Sequence, residues 1–159
     1  MKRRSALGLA LCLAITPMLS WADTSFGGQV IAVLDGDTVD VLTPEKKKIR
    51  VRLANIDAPE KIQAFGQKSR QALADIVFRK DVVVLDSGTD RYGRQIGRVM
   101  VGKVEANVEQ IRDGFAWVYT QYNKDQQLPA LEASARERKI GLWHDDAPTP
   151  PWLFRRAQK

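Results

Sequence analysis

The sequence predicts an α+β domain, mainly β, in which five short strands are joined by helices. Apolar runs rich in valine and isoleucine recur at 30–34, 39–42, 49–53, 82–85 and 96–101, each bounded by turn residues. Three longer stretches, between and after these runs, carry helix-type spacing or helix-end signals instead. No internal repeat is visible, and the length suits one domain.

The elements follow in order. Val30–Leu34 and Val39–Leu42 flank Asp35-Gly36-Asp37-Thr38, and Asp-Gly between such runs predicts a hairpin. That turn accounts for Asp35 and Gly36 but does not require Asp37. Ile49-Arg-Val-Arg-Leu53 alternates apolar and basic, so Ile49, Val51 and Leu53 are expected to face a core and Arg50 and Arg52 to face away. Pro59 lacks a donor and biases Ala58 toward an extended backbone, so the strand should end there, with Asp57 and Glu60 at its mouth. A first helix near Ser69–Phe78 sets Leu73, Ile76 and Val77 on one face. Val82–Leu85 and Ile96–Val101 then bracket the tight connection Asp90-Arg-Tyr-Gly-Arg94. A second helix is expected to open with Asn107 as its cap, Gln110 three positions on, and to close at Gly114. A third runs from about Pro129 to Lys139 and stops at Gly141. The proline-rich tail from Ala147 to Trp152 is expected to be extended, with Trp152 and Phe154 docked on the domain. A five-stranded OB-fold barrel with three packed helices fits this order, although strand count alone does not choose it.

The first residues predict an address. Lys2, Arg3 and Arg4 precede an apolar run from Ala6 to Leu19, and Ser20-Trp21-Ala22 places small residues at the positions a signal peptidase needs. Residues 1–22 are therefore expected to be a secretory signal peptide cut before Asp23, followed by a domain over 23–146 and a tail over 147–159. The mature protein is expected in the periplasm or the medium, without a membrane anchor. Removing the leader takes away Cys12, the single cysteine, so neither a disulfide nor a catalytic thiol is expected. It also lowers the basic residues from 25 to 22 against 19 acidic, a formal charge of +3. So mild a charge suits nucleic acid as a partner without establishing it.

The segment Arg52-Leu-Ala-Asn-Ile-Asp57-Ala-Pro-Glu60 carries the chemistry. It sets a cation, a carboxylate able to hold a metal and a second carboxylate free to act as a base around one strand end. Such a set suits phosphodiester hydrolysis, where charge must be neutralised while water attacks phosphorus. Asp-Gly-Asp-Thr at 35–38, then Arg-x5-Asp-x-Pro-Glu at 52–60, then Asp-x-Tyr-Gly-Arg at 90–94, in this order, resembles the staphylococcal nuclease family over roughly Gln29 to Trp143.

That resemblance implies the OB-type barrel directly, and an endonuclease that hydrolyses DNA and RNA to 3′-phosphate products with Ca2+ as cofactor. It implies Asp37 and Asp57 as metal ligands, with the backbone carbonyl of Ala58, where many relatives carry a hydroxyl residue. Glu60 matches the family's general base, and Arg52 and Arg94 its phosphate clamp, for which a planar guanidinium offers two parallel donors. Tyr92 matches an aromatic beside the substrate phosphate, and Tyr122 a nucleoside-stacking tyrosine whose companion is replaced here by Thr120. The segment Lys61–Gln67 is shorter than the flexible loop of the best-known member. Trp117 and Tyr119 read as core or barrel rim, His144 as surface, and a monomer is expected. Two other readings remain at this point. One is an OB-type nucleic-acid-binding module without catalysis, the other an extracytoplasmic interaction domain using its Trp152 tail.

Overall fold

The computed structural model describes residues 25–158. The expected leader, its expected cleavage point and Cys12 lie outside those residues. Among the described residues eight strands run in chain order: β1 Ser25–Val33, β2 Thr38–Leu42, β3 Lys48–Leu53, β4 Ile56–Asp57, β5 Asp81–Thr89, β6 Gln95–Val101, β7 Val104–Glu105 and β8 Trp117–Val118. Four α-helices accompany them: α1 Gly66–Val77, α2 Ala106–Arg112, α3 Leu128–Glu137 and α4 Pro151–Ala157, with a 3-10 turn at Gly141–His144 between the last two.

Five strands make the barrel. They lie in the order β3-β2-β1-β5-β6, all neighbours antiparallel, and β3 then pairs in parallel with β6 to close the ring. The closing register sets Val51 opposite Gln95 and Leu53 opposite Gly97. Closure removes the exposed edges that an open sheet would present. The predicted OB-type barrel is thus present, with four helices rather than three.

Valines at alternate positions explain the core. Val39, Val41, Val51, Val82, Val84 and Val99 are buried inside, and Leu73 and Val77 of α1 and Ile111 of α2 pack against them. On β3, Val51 and Leu53 are buried and Arg50 is exposed, as the alternation predicts. A smaller cluster of Trp117, Ala135, Leu142 and Trp143 lies beneath α3, with Phe65, Ile140 and Trp152 packed on it.

Several expectations need correction. β1 begins at Ser25, ahead of the apolar run, because Ser25–Gln29 pairs with Asp81–Leu85 through backbone bonds that need no apolar side chains. The strand bearing Arg52 stops at Leu53; Asn55, with φ 68°, turns the chain, and Asp57 sits on β4, held against β8 by the Asp57–Trp117 register. Asn107 is not a cap. Helix α2 opens after Glu105, and the Asn107 amide is buried, donating to Ala54 O and Gly97 O while its oxygen accepts from Val99 N. The tail is extended only through Pro148–Pro150. Pro151 then starts α4, since a fixed φ and a missing donor suit a first helical turn. Docking of Trp152 and Phe154 holds: Trp152 stacks on Tyr119, and Phe154 shares a pocket with Phe65, Trp117 and Leu142. No helix among the described residues is long and apolar enough to cross a membrane.

Candidate active site

The site lies where the β1–β2 turn, the start of β4 and the end of β3 meet. The turn spans Leu34–Asp37, wider than a two-residue Asp-Gly loop, with Asp35 Oδ1 accepting the Asp37 N–H at 3.0 Å. Gly36 is required by space. A Cβ there would stand 1.8 Å from Ser69 Oγ and 2.7 Å from the Ala58 Cβ. The Gln110 amide, wholly buried, donates to Gly36 O at 2.7 Å and to Ser69 O at 3.1 Å. Helix α2 therefore holds the turn in place from behind, a role that its reading as part of a capping box missed.

Asp37 and Asp57 are brought together, and both are buried, at 6% and 1% exposure. Asp37 Oδ2 accepts from the Ala58 N–H at 2.8 Å and lies 3.1 Å from Arg52 Nη1, while its Oδ1 accepts from the Thr38 hydroxyl at 3.0 Å. Arg52 Nη2 donates to Asp57 Oδ1 at 2.9 Å, and its Nη1 also donates to Leu53 O and Ile56 O. Arg52 thus pins the chain reversal between β3 and β4 as well as facing the acids. Ala58, next to Asp57, is buried with its N–H turned to Asp37.

Arg155 completes this cluster, and the sequence reading missed it. Its Nη2 donates to Asp57 Oδ2 at 2.7 Å, and its Nη1 donates to Glu60 Oε1 at 2.7 Å and Asp57 Oδ1 at 3.2 Å. Glu60 is therefore beside Asp57, paired with an arginine of α4. The only signal in the sequence was spacing: on a helix, Arg155 shares the face of Trp152 three residues before it.

Three carboxylates, Asp37, Asp57 and Glu60, pair with two guanidiniums, Arg52 and Arg155, and Asp35 lies beside Asp37. The electrostatics register the surplus. Burial and then the charge of Asp37 push Asp35 up to about 7. Burial raises Asp57 as well, aided by Asp37 and opposed by Arg155 and Arg52. Burial opposes the charge of Arg155, but its hydrogen bonds to Asp57 and Glu60 outweigh that and hold it firmly protonated.

Arg94, Tyr92 and Tyr122 stand across an open cleft of about 850 Å³ walled by Arg52, Tyr92, Arg94, Tyr119 and Tyr122 among others. Arg94 donates to Asp90 Oδ2 at 2.7 Å and lies over the Tyr92 ring, 5.7 Å from its centre. Arg94 and Arg52 share this wall, so a backbone lying in the cleft meets both. Tyr92 and Tyr122 are exposed, and Tyr122 meets Tyr119 edge-on at 4.8 Å. Trp117 is buried and His144 exposed, as expected. Asp37, Asp57 and Glu60 are not part of the cleft wall; of the groups paired with them, Arg52 lines it.

The donor set fits a hard divalent cation: two buried aspartates, a backbone oxygen at Ala58 and surplus negative charge, with no soft ligand nearby. Among the described residues no three His, Cys, Asp or Glu side chains surround one point, so backbone oxygen and water would have to complete the shell.

Comparisons with known proteins place the chain among nucleases. The family model described as staphylococcal nuclease homologue matches residues 50–145. A micrococcal nuclease of Shigella flexneri is 44% identical over 94% of this chain and 91% of its own length. Protein ParB of Escherichia coli is 43% identical over 98% of this chain and 95% of its own. An uncharacterized endonuclease of Haemophilus influenzae is 40% identical over 100% of this chain and 89% of its own. The chain belongs to the staphylococcal nuclease family, and the enzyme is a phosphodiester-hydrolysing nuclease.

Proposed function

We propose that the protein is an exported, calcium-dependent endonuclease that hydrolyses both DNA and RNA and leaves 3′-phosphate ends. The observation that carries this reading is the buried Asp37–Arg52–Asp57 cluster at the edge of a cleft that Arg94 shares. A calcium ion there would be held by Asp37, Asp57 and the Ala58 carbonyl, and would supply charge for the phosphate and the attacking water. The chain's own groups do the rest. Arg52 and Arg94 face the phosphate from the cleft wall and stabilise the charge that builds on the equatorial oxygens. Glu60 orients the attacking water and takes its proton. Loss of the 5′ oxygen then leaves phosphate on the 3′ side.

Substrate breadth follows from what the cleft offers. Tyr92 and Tyr122 present ring faces, which stack on any base, and the cleft's guanidiniums recognise phosphate in either nucleic acid. Export fits the chemistry. A nuclease of this breadth in the cytoplasm would attack the cell's own nucleic acids, and the leader over residues 1–22 supports secretion.

The test uses the chain lacking residues 1–22 on plasmid DNA and on RNA, with calcium, with magnesium and with chelator. Cleavage of both substrates with calcium, none with chelator, and product ends that need a phosphatase before 3′ extension are expected. Full activity after verified metal removal would sink the calcium reading. Binding without cleavage under every condition would leave a nucleic-acid-binding module instead.

A further inference from the structure

Arg155 stands where a cation is needed, and it belongs to the chain itself. Its guanidinium bridges both oxygens of Asp57 and reaches Glu60, while Arg52 takes a further position on Asp57 Oδ1. A divalent ion on Asp57 needs a free lone pair on that carboxylate and would set two more positive charges beside Arg155. The Glu60 oxygen that would face a water is likewise engaged by Arg155 Nη1. As placed, α4 closes both the metal ligand and the base.

The helix that carries Arg155 is built to come away. It spans seven residues, only Pro151 among them is fully buried, and Leu153 is exposed. Apart from the Arg155 bonds themselves, its attachment is aromatic and local: Trp152 lies parallel to Tyr119 at 5.9 Å and edge-on to Trp117 at 5.7 Å, and Phe154 shares a pocket with Phe65 and Leu142. The extended connector before it is tied by one amide, Gln63 Nε2 donating to Thr149 O at 2.6 Å. Such a segment opens at far less cost than the barrel does. Its anchor, moreover, is next to the cleft, since Tyr119 both stacks on Trp152 and forms part of the cleft wall.

We propose that Arg155 is an internal competitor for the divalent cation, so that α4 holds the nuclease closed until metal displaces its guanidinium from Asp57 and Glu60. The proposal rests on the divalent-ion reading of Asp37 and Asp57. It makes α4 a latch whose strength sets the metal concentration at which the enzyme turns on.

The experiment compares the metal-free leaderless chain with Arg155→Ala and Arg155→Gln, the second retaining a long polar side chain should the first disturb packing. Folding of each variant is checked by circular dichroism. Calcium affinity is measured by titration calorimetry, and exchange of the α4 amides is followed by mass spectrometry with and without calcium. If the open state is about a tenth of the population, removing the competitor tightens calcium binding roughly 10-fold. Calcium should also speed exchange over 151–157 in the wild type. Equal or weaker calcium affinity in both variants, or α4 exchange that calcium leaves unchanged or slows, overturns the latch while the metal site stands. No calcium binding by wild type or variants overturns the metal site and the latch together.

Discussion

Arg50 and Arg52 leave β3 on the same face, two residues apart, and meet different surroundings. Arg50 lies opposite Asp40 in the β2–β3 register and pairs with it, Nε to Oδ1 at 2.8 Å. Asp40 is as buried as Asp37, but Arg50 and Lys48, both largely in solvent, more than balance its charge, and the hydrogen bond of Arg50 holds it below the usual carboxylate range. Arg52 lies opposite Thr38, so its acids come from the turn and from β4, and both are buried. There burial and like charge push Asp57 up instead of letting its arginines pull it down. An arginine–carboxylate pair is by itself ordinary. Acids in excess of their cations, two of them buried, mark the site, because such an excess is costly unless a further cation joins it.

The largest effects are expected on the acid-rich side. Glu60→Gln retains shape and loses the basic site, so kcat should fall by about 10²–10⁴-fold with little change in KM. Near wild-type kcat would make Glu60 a bystander. Arg52→Lys retains charge but loses the fork, and should lower kcat/KM by about 10²-fold. Because Arg52 also donates to Leu53 O and Ile56 O, this variant should lose thermal stability as well. Arg94→Lys, on a more exposed turn, should lose activity by the same geometric argument with little change in Tm. Equal Tm losses in the two variants would contradict the separate structural duty given to Arg52.

Smaller effects are expected elsewhere. Tyr122→Ala removes a stacking face, worth about 1–3 kcal/mol per base, and should raise KM while leaving kcat nearly intact. On the balanced side, Asp40→Asn should cost no more than about 1 kcal/mol at neutral pH. The sign follows from its lowered pKa. The pair's stabilisation is present above the unfolded value of 3.8 and fades as pH falls through the folded value, so wild type and variant should converge in acid. Urea denaturation at neutral pH and in acid measures it. A difference that grows in acid would reverse the assignment.

Strands and the first half of the site were legible because their signals are local. Alternation places Arg50 and Arg52 outward, and Pro59 ends the extended segment just past Asp57. Residues acting across the fold were not. Arg155 lies 95 positions from Glu60, and nothing nearby in sequence announces their contact. Asn107 and Gln110 look like a capping pair by spacing, yet burial turns both amides inward, where Asn107 ties Ala54 and Gly97 together and Gln110 holds Gly36. Burial is a tertiary property, and a polar residue's local spacing does not reveal it. The tail was half legible. Aromatic residues promised docking, but the prolines masked a helix whose first turn they favour.

The central claim is that the acids around Arg52 form a cation site and the acid beside Arg50 does not. Thermal unfolding of the metal-free leaderless chain, with and without calcium, tests it without reference to activity. Calcium at about 100 times its Kd should raise Tm by about 5 °C or more in the wild type and in Asp40→Asn, and should leave Asp37→Asn unmoved. An equal rise in Asp37→Asn, or no rise in the wild type, would contradict the account.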